Sequence, residues 1–209
     1  MYLPRHFSED DAGAAVAMAR AAGFGHLVVA GPDALMSTPM PFVISGDGAQ
    51  VRAHLARPNS IWNLAPCDAL LVVPVSDAYV SPGWYPSKAE HGKVVPTWNY
   101  EVVHLHGRLI AHDDTEWTAT MVRDLTDLNE ATLPMPWSVD DAPADYIDQL
   151  MGGIVGIELE VVRIDAKRKL SQNKSDADVA GAIAGLAGSP LPRSRAVRQA
   201  MDQTSRNGV

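Results

Sequence analysis

The sequence predicts a small antiparallel β-barrel in an α+β setting. Three observations point there. Five or six segments carry the period-two alternation or the short apolar run of a strand, most of them are joined by short turns, and the helical stretches are inserted or appended rather than alternating with strands. Periodicity alone leaves a two-sheet sandwich as the alternative. The 209 residues and 22.4 kDa suit one domain, or one domain with an appendage. A content of 46% hydrophobic and 20% charged residues is that of a globular protein with a real core.

The elements follow in order. Residues 8–22, SEDDAGAAVAMARAA, read as a helix: Ser8 can cap, Glu9, Asp10 and Asp11 suit the positive end of the dipole, and Gly23 stops it. GHLVVA and PFVISG read as strands, and Gly46-Asp47-Gly48 supplies a hairpin turn into AQVRAHLA, which alternates Val51, Ala53 and Leu55 against Arg52 and His54. RPNSIWNLA is a turn and a short helix. ALLVVPVS is a continuous apolar run, expected as a strand buried on both faces. Residues 79–93, rich in Gly, Pro and Ser, read as a loop. A long strand follows from Val95, continued by GRLIAH. DDTEWTATMVRDLTDLNEA is a helix with an acidic first turn, and APADYIDQLMGG is a short one. IVGIELEVVRIDA is the last strand, and helical runs around 177–187 and 195–205 are split by GSPLP.

Within the long strand, VPTWNYEVVHLHG does not read as a strand lying flat on one core. In its back half Val103 and Leu105 oppose His104 and His106. Carried backwards, the first face becomes Thr97, Asn99 and Glu101, and the second becomes Trp98, Tyr100 and Val102. The faces exchange character, which predicts that the front half meets something other than the core.

Charge excludes a uniformly basic surface that coats nucleic acid, since the net charge is -8. It is unevenly spread: residues 1–162 hold 8 Lys/Arg against 21 Asp/Glu, and residues 163–209 hold 9 against 4. A basic tail of this kind meets an anion, a partner or nucleic acid, or else docks on its own acidic body or a twin subunit. No apolar run reaches the roughly 18 residues of a membrane span. The N-terminus lacks the apolar core of a secretory signal, and Cys67 is the only cysteine, so the cytoplasm is the expected compartment.

Each motif that could carry chemistry has a plainer counterpart. His104 and His106 share a strand face, as metal ligands can, but no third ligand is placed beside them, and a solvent-facing pair is the commoner meaning. No G-x-S-x-G elbow occurs, and Cys67 sits beside an apolar strand without an evident base, as a structural thiol does. Neither a P-loop nor a dinucleotide fingerprint is present. In HLARPNSIW a strand ends, Arg57 supplies a cation, and Pro58-Asn59-Ser60 opens a helix. Those groups would hold a phosphate, or Asn59 or Ser60 simply caps the helix with Arg57 in solvent. Trp84, Tyr85, Trp98 and Tyr100, beside Ser81, Thr97 and Asn99, suit a flat heteroaromatic ligand, a subunit interface or the edge of the core.

Several segments taken together are specific. MYLPRHF at the start, YVSPGWY at Tyr79–Tyr85, VPTWNYEVVHLHG at Val95–Gly107 and KLSQNK at Lys169–Lys174 resemble the PaiB family, described as FMN-binding negative transcriptional regulators, in order and in wording. HLARPNSIW at His54–Trp62 fits the same pattern, and the likeness runs from Met1 to about Lys174. The resemblance implies a mainly β, α+β fold: an antiparallel Greek-key split β-barrel with peripheral helices and a C-terminal helical tail, as in pyridoxamine-phosphate oxidases. It implies an FMN-binding domain over 1–174 and a helical extension over 175–209. It implies a homodimer with the flavin in a cleft between subunits. By the same resemblance Arg57, Asn59 and Ser60, after His54, hold the FMN phosphate, and Met36, Ser37, Thr38 and Pro39 line the isoalloxazine. Thr97, Trp98, Asn99 and Tyr100 lie at the flavin or across the interface, and Lys169, Ser171, Gln172 and Asn173 enter from the end of the last strand.

Two functions fit. One is an FMN-binding regulator or flavin-linked sensor, with DNA contacted, if at all, through the basic tail. The other is an FMN-dependent oxidoreductase, a flavin reductase or oxidase acting on a small molecule. FMN supplies the chemistry in both, and no residue demands a catalytic acid or base, His91 on the loop being the best candidate.

Overall fold

The computed structural model describes residues 1–207. Eight strands form one mainly antiparallel sheet: β1 (Ser8–Glu9), β2 (Phe24–Ala30), β3 (Leu35–Pro41), β4 (Val43–Ile44), β5 (Gln50–Ala56), β6 (Cys67–Val80), β7 (Thr97–His112) and β8 (Ile154–Lys169). Their order is β3-β2-β6-β7-β8-β5-β4, an open path with β1 added to β8. Six helices accompany them: α1 (Ala12–Ala22), α2 (Ser87–His91), α3 (Thr115–Glu130), α4 (Ala144–Met151), α5 (Asp176–Ala187) and α6 (Pro192–Asn207).

The chain divides into two compact units. The first comprises residues 1–11, 74–103 and 165–207, and the second residues 12–73 and 104–164. The second unit holds an apolar core that includes Leu27, Phe42, Leu71, Leu105, Met121 and Ile157, all shut from solvent. β5 pairs with β8 from Gln50↔Glu160 to Ala56↔Ile154, which turns Val51, Ala53 and Leu55 inward together with Val155, Ile157 and Leu159. Asp114 caps α3 by accepting from the Glu116 and Trp117 amides. The edge strand β3 carries Pro39 and Pro41, residues that an inner strand would not tolerate.

The first unit has its own core of Ala78, Val80, Tyr85, Leu170, Ala182, Leu186, Val197 and Met201. α5 presents Gly181 and Gly185 to Trp84, so closely that a Cβ on either would lie 2.2 Å from the Trp84 carbonyl or 2.1 Å from its ring. The helical tail is therefore docked rather than free. Arg193 pairs with Asp77, and Ser87 donates through both its amide and its hydroxyl to the buried Asp178.

Four local expectations are corrected. Ser8 does not cap the first helix: Ser8 and Glu9 pair with Lys167 and Ala166 of β8, and the helix begins at Ala12. β6 is not buried on both faces but alternates, with Ala69, Leu71 and Val73 inward, and it runs on to Val80. The segment read as a loop after Tyr79 holds a 3-10 turn, Pro82–Trp84, and the short helix α2. The faces of β7 do not exchange. Asn99, Glu101, Val103, Leu105, Gly107 and Leu109 are all buried, so one face points inward throughout, and its polar front half lies in the first unit.

Gly107 sits where β7 meets β8, and a Cβ there would lie 2.1 Å from the Glu160 carbonyl oxygen. Gly107→Ala is therefore expected to lower stability by about 1–3 kcal/mol in chemical denaturation. An unchanged midpoint would refute the close approach.

Candidate functional site

The expected site residues fall into two groups, one in each unit. In the second unit, Met36 and Thr38 are half-buried on β3 while Ser37 and Pro39 face solvent. Thr38 Oγ1 accepts from Asn59 Nδ2 at 3.1 Å, and Asn59 Oδ1 accepts from the Ile61 amide at 3.1 Å. Asn59 thus caps the short 3-10 turn Ser60–Leu64, and Ser60 is exposed. His54 is half-buried on β5. Its Nδ1 is buried and meets no hydrogen-bonding partner among the described residues, and burial lowers its pKa, which favours the neutral ring.

Arg57 is exposed to solvent, yet its donors are largely engaged. Nη1 and Nη2 grip the Asp113 carboxylate at 3.2 and 2.7 Å, Nε donates to the Gly152 carbonyl, and Nη2 also donates to that of Ile154. The pair holds the Asp113 carboxyl below its ordinary range and raises Arg57. Its contribution is present above the unfolded carboxylate pKa and is lost as pH falls through the lower folded one. Both groups are solvent-exposed, so the contribution is small.

In the first unit the polar front of β7 meets the end of β8. Asn99 is fully buried; its Nδ2 donates to Ser171 Oγ at 2.9 Å, and it also receives the Ser171 hydroxyl at Oδ1, 3.2 Å away. Ser171 adopts φ +70°, a conformation rare for a side-chain-bearing residue, inside a turn closed by the Lys174 amide on its carbonyl. Gln172 is consumed locally: its Oε1 accepts from the Leu170 amide and its Nε2 donates to the Arg168 carbonyl. Asn173 is exposed. Lys169 Nζ donates to Thr97 Oγ1 at 2.6 Å and to the Trp98 carbonyl. Tyr100 is half-buried, and Trp98, 47% exposed, packs edge-on against Tyr79.

Sequence reasoning missed two features here. Glu101 is buried in an ion network, taking Arg168 Nε at 2.9 Å and the Ser76 hydroxyl at 2.9 Å, while Arg168 also reaches Glu9. Lys167, almost wholly buried, stands on the strand face that carries Lys169. The alternation of Lys167, Arg168 and Lys169 was the available signal, since it assigns the lysines to one face and the arginine to the other. His104 and His106 of β7 lie with ring centroids 6.1 Å apart, and among the described residues no group of three potential ligands could hold a metal.

The family described as "Putative FMN-binding domain" matches residues 1–163. The chain belongs to this family. It is 26% identical over 208 residues to protease synthase and sporulation protein PAI 2 of Bacillus subtilis, a match covering 97% of each chain. An uncharacterised protein of Emericella nidulans is 35% identical over 118 residues, 52% of this chain; the chain spans about half, 47%, of that relative. Among solved structures, the flavocytochrome Anf3 of Azotobacter vinelandii superposes with a TM-score of 0.57 at 17% identity, covering 80% of this chain and 72% of that one. A FAD and heme binding protein of Mycobacterium smegmatis gives 0.54 at 14%, covering 90% and 95%. These likenesses show the fold, and the open antiparallel sheet is that of a flavin-binding split barrel.

FMN is the cofactor, and the chain has chemistry to match it. Among the described residues, His54 offers a buried ring nitrogen without a partner, and Lys167 and Lys169 offer positive charge that forms no ion pair. The Asn99–Ser171 pair ties the front of β7 to the turn that follows β8. Asn99→Ala leaves the buried Ser171 hydroxyl without its partner and is expected to cost about 1–3 kcal/mol of stability by thermal or urea melting. A loss within error of zero would contradict that role.

Proposed function

We propose that this protein is a homodimeric, cytoplasmic FMN-binding sensor of the PaiB type, which acts in negative transcriptional control according to the state of its flavin. The observation that carries this reading is the likeness to PAI 2 along 97% of both chains, which takes in the C-terminal segment as well as the flavin-binding part. The flavin-binding part spans residues 1–174, with 175–209 as an extension whose last two residues lie outside the described ones. The candidate flavin contacts are Met36, Ser37, Thr38, Pro39, His54, Arg57, Asn59 and Ser60 in one group. Thr97, Trp98, Asn99, Tyr100, Lys169, Ser171, Gln172 and Asn173 form the other. When bound, FMN supplies one- and two-electron chemistry, while the protein supplies orientation and electrostatics.

Two structural facts favour a sensor over a protein that grips DNA by its tail. The tail helices pack on the first unit's own core, and two tail arginines are paired, Arg193 with Asp77 and Arg198 with Asp202. Among the described residues, no helix is long and apolar enough to cross a membrane.

The discriminating experiment combines light scattering, duplex-DNA titration across a salt series and NAD(P)H oxidation with FMN present. The expected result is a dimer with no multiple turnover of NAD(P)H. Binding of DNA with a steep salt slope would transfer control to direct contact. Sustained NAD(P)H turnover would replace the sensor with an oxidoreductase.

A further inference from the structure

The C-terminal end of β8 carries two cations that form no ion pair among the described residues. Lys167 is 7% exposed, and its Nζ donates to the Tyr2 carbonyl at 3.1 Å. Lys169 is half-buried and donates to the Thr97 hydroxyl and the Trp98 carbonyl. Neither forms an ion pair with any described residue. The nearby acids are otherwise engaged: Glu101 and Glu9 face Arg168 on the opposite side of the strand, and Asp165 takes the N-terminal ammonium. Alternation places Lys167 and Lys169 on one face, roughly 7 Å apart along the strand.

Between them lies the Tyr100 ring, with the two ammonium nitrogens 5.4 and 5.9 Å from its centroid, and Lys167 is also 5.5 Å from that of Tyr2. Such ring contacts soften the desolvation of a cation, but they do not neutralise two like charges brought together. Burial, and then the positive charges of Lys167 and Lys174, push the Lys169 amine below its ordinary range, as expected for a cluster lacking its counter-charge. An ammonium has three donors. Lys167 spends one of its three on the Tyr2 carbonyl and Lys169 two on its neighbours, so three N–H groups remain. By contrast, the Arg57 fork is already filled by Asp113.

We propose that Lys167 and Lys169, flanking Tyr100, form an oxyanion site that takes a phosphoryl group. The site exists independently of the flavin reading; only the naming of FMN as one source of the phosphoryl group rests on it. The other source is a separate phosphorylated small molecule, with the Tyr100 ring available to pack against it.

The test uses the full chain, wild type beside Lys167→Met and Lys169→Gln. Dissociation constants for FMN and riboflavin are measured by fluorescence, and melting temperatures are compared in inorganic phosphate and in chloride at equal ionic strength. If FMN's own phosphate occupies the site, each variant loses about tenfold or more in FMN affinity, while riboflavin is unaffected. If a separate ligand does, both flavins bind as before, and the phosphate-specific rise in the wild-type melting temperature disappears in the variants. In chloride, Lys167→Met is expected to melt at the wild-type temperature or above, because it removes an uncompensated buried charge; a purely structural lysine would instead lower it. Wild-type protein with no phosphate-specific stabilisation, together with variants that treat FMN and riboflavin alike, would overturn the proposal. Wild-type protein that binds neither flavin yet is stabilised by phosphate would count against the flavin reading and leave the oxyanion site standing.

Discussion

A strand in regular conformation cannot choose afresh which side chains face inward, and the burial alternation of β7 holds unbroken from Asn99 to Leu109. That constraint organises much of what surrounds it. Because Val103, Leu105 and Leu109 must enter the core, Asn99 and Glu101 are carried inward too. A buried amide and a buried carboxylate are costly unless their hydrogen-bonding capacity is met. The end of β8 meets it, with Arg168 on Glu101 and Ser171 on Asn99. Ser171 reaches its place only through a left-handed turn, so backbone strain at one residue is tolerated in exchange for satisfying another.

Once Arg168 is committed to the inner face, Lys167 and Lys169 have no choice but the other. Their neighbours there are the parts of β7 that also point away from the core, Tyr100 and the Thr97–Trp98 backbone. The polar, aromatic sequence that did not read as a strand lying flat on one core is thus two continuous faces. One is a satisfied buried network. The other carries Lys167, Lys169 and Tyr100, and neither lysine forms an ion pair among the described residues.

Much of this was legible in the sequence, and the exceptions have physical causes. Strand alternation located β5, the acidic first turn located α3, and the ordered motifs gave the family. Ser8 deceived because cap chemistry is local, whereas its pairing with Lys167 joins residues far apart in the chain. The apolar run of β6 deceived because half-buried and fully buried positions tolerate the same residues. Arg57 read equally well as a phosphate ligand or a free cation, and nothing local indicated Asp113, which folding delivers to its fork. The inward turn of Asn99 and Glu101 was hidden for the same reason: their partners lie far along the chain, and polar residues on a strand ordinarily mark the solvent face.

The family match makes flavin binding the property on which the functional account depends. The most direct measurement is the visible absorbance spectrum of the purified protein, taken before and after incubation with FMN and removal of the unbound flavin. The account predicts flavin bands that stay with the protein after that removal. A protein that is colourless at both stages would contradict it.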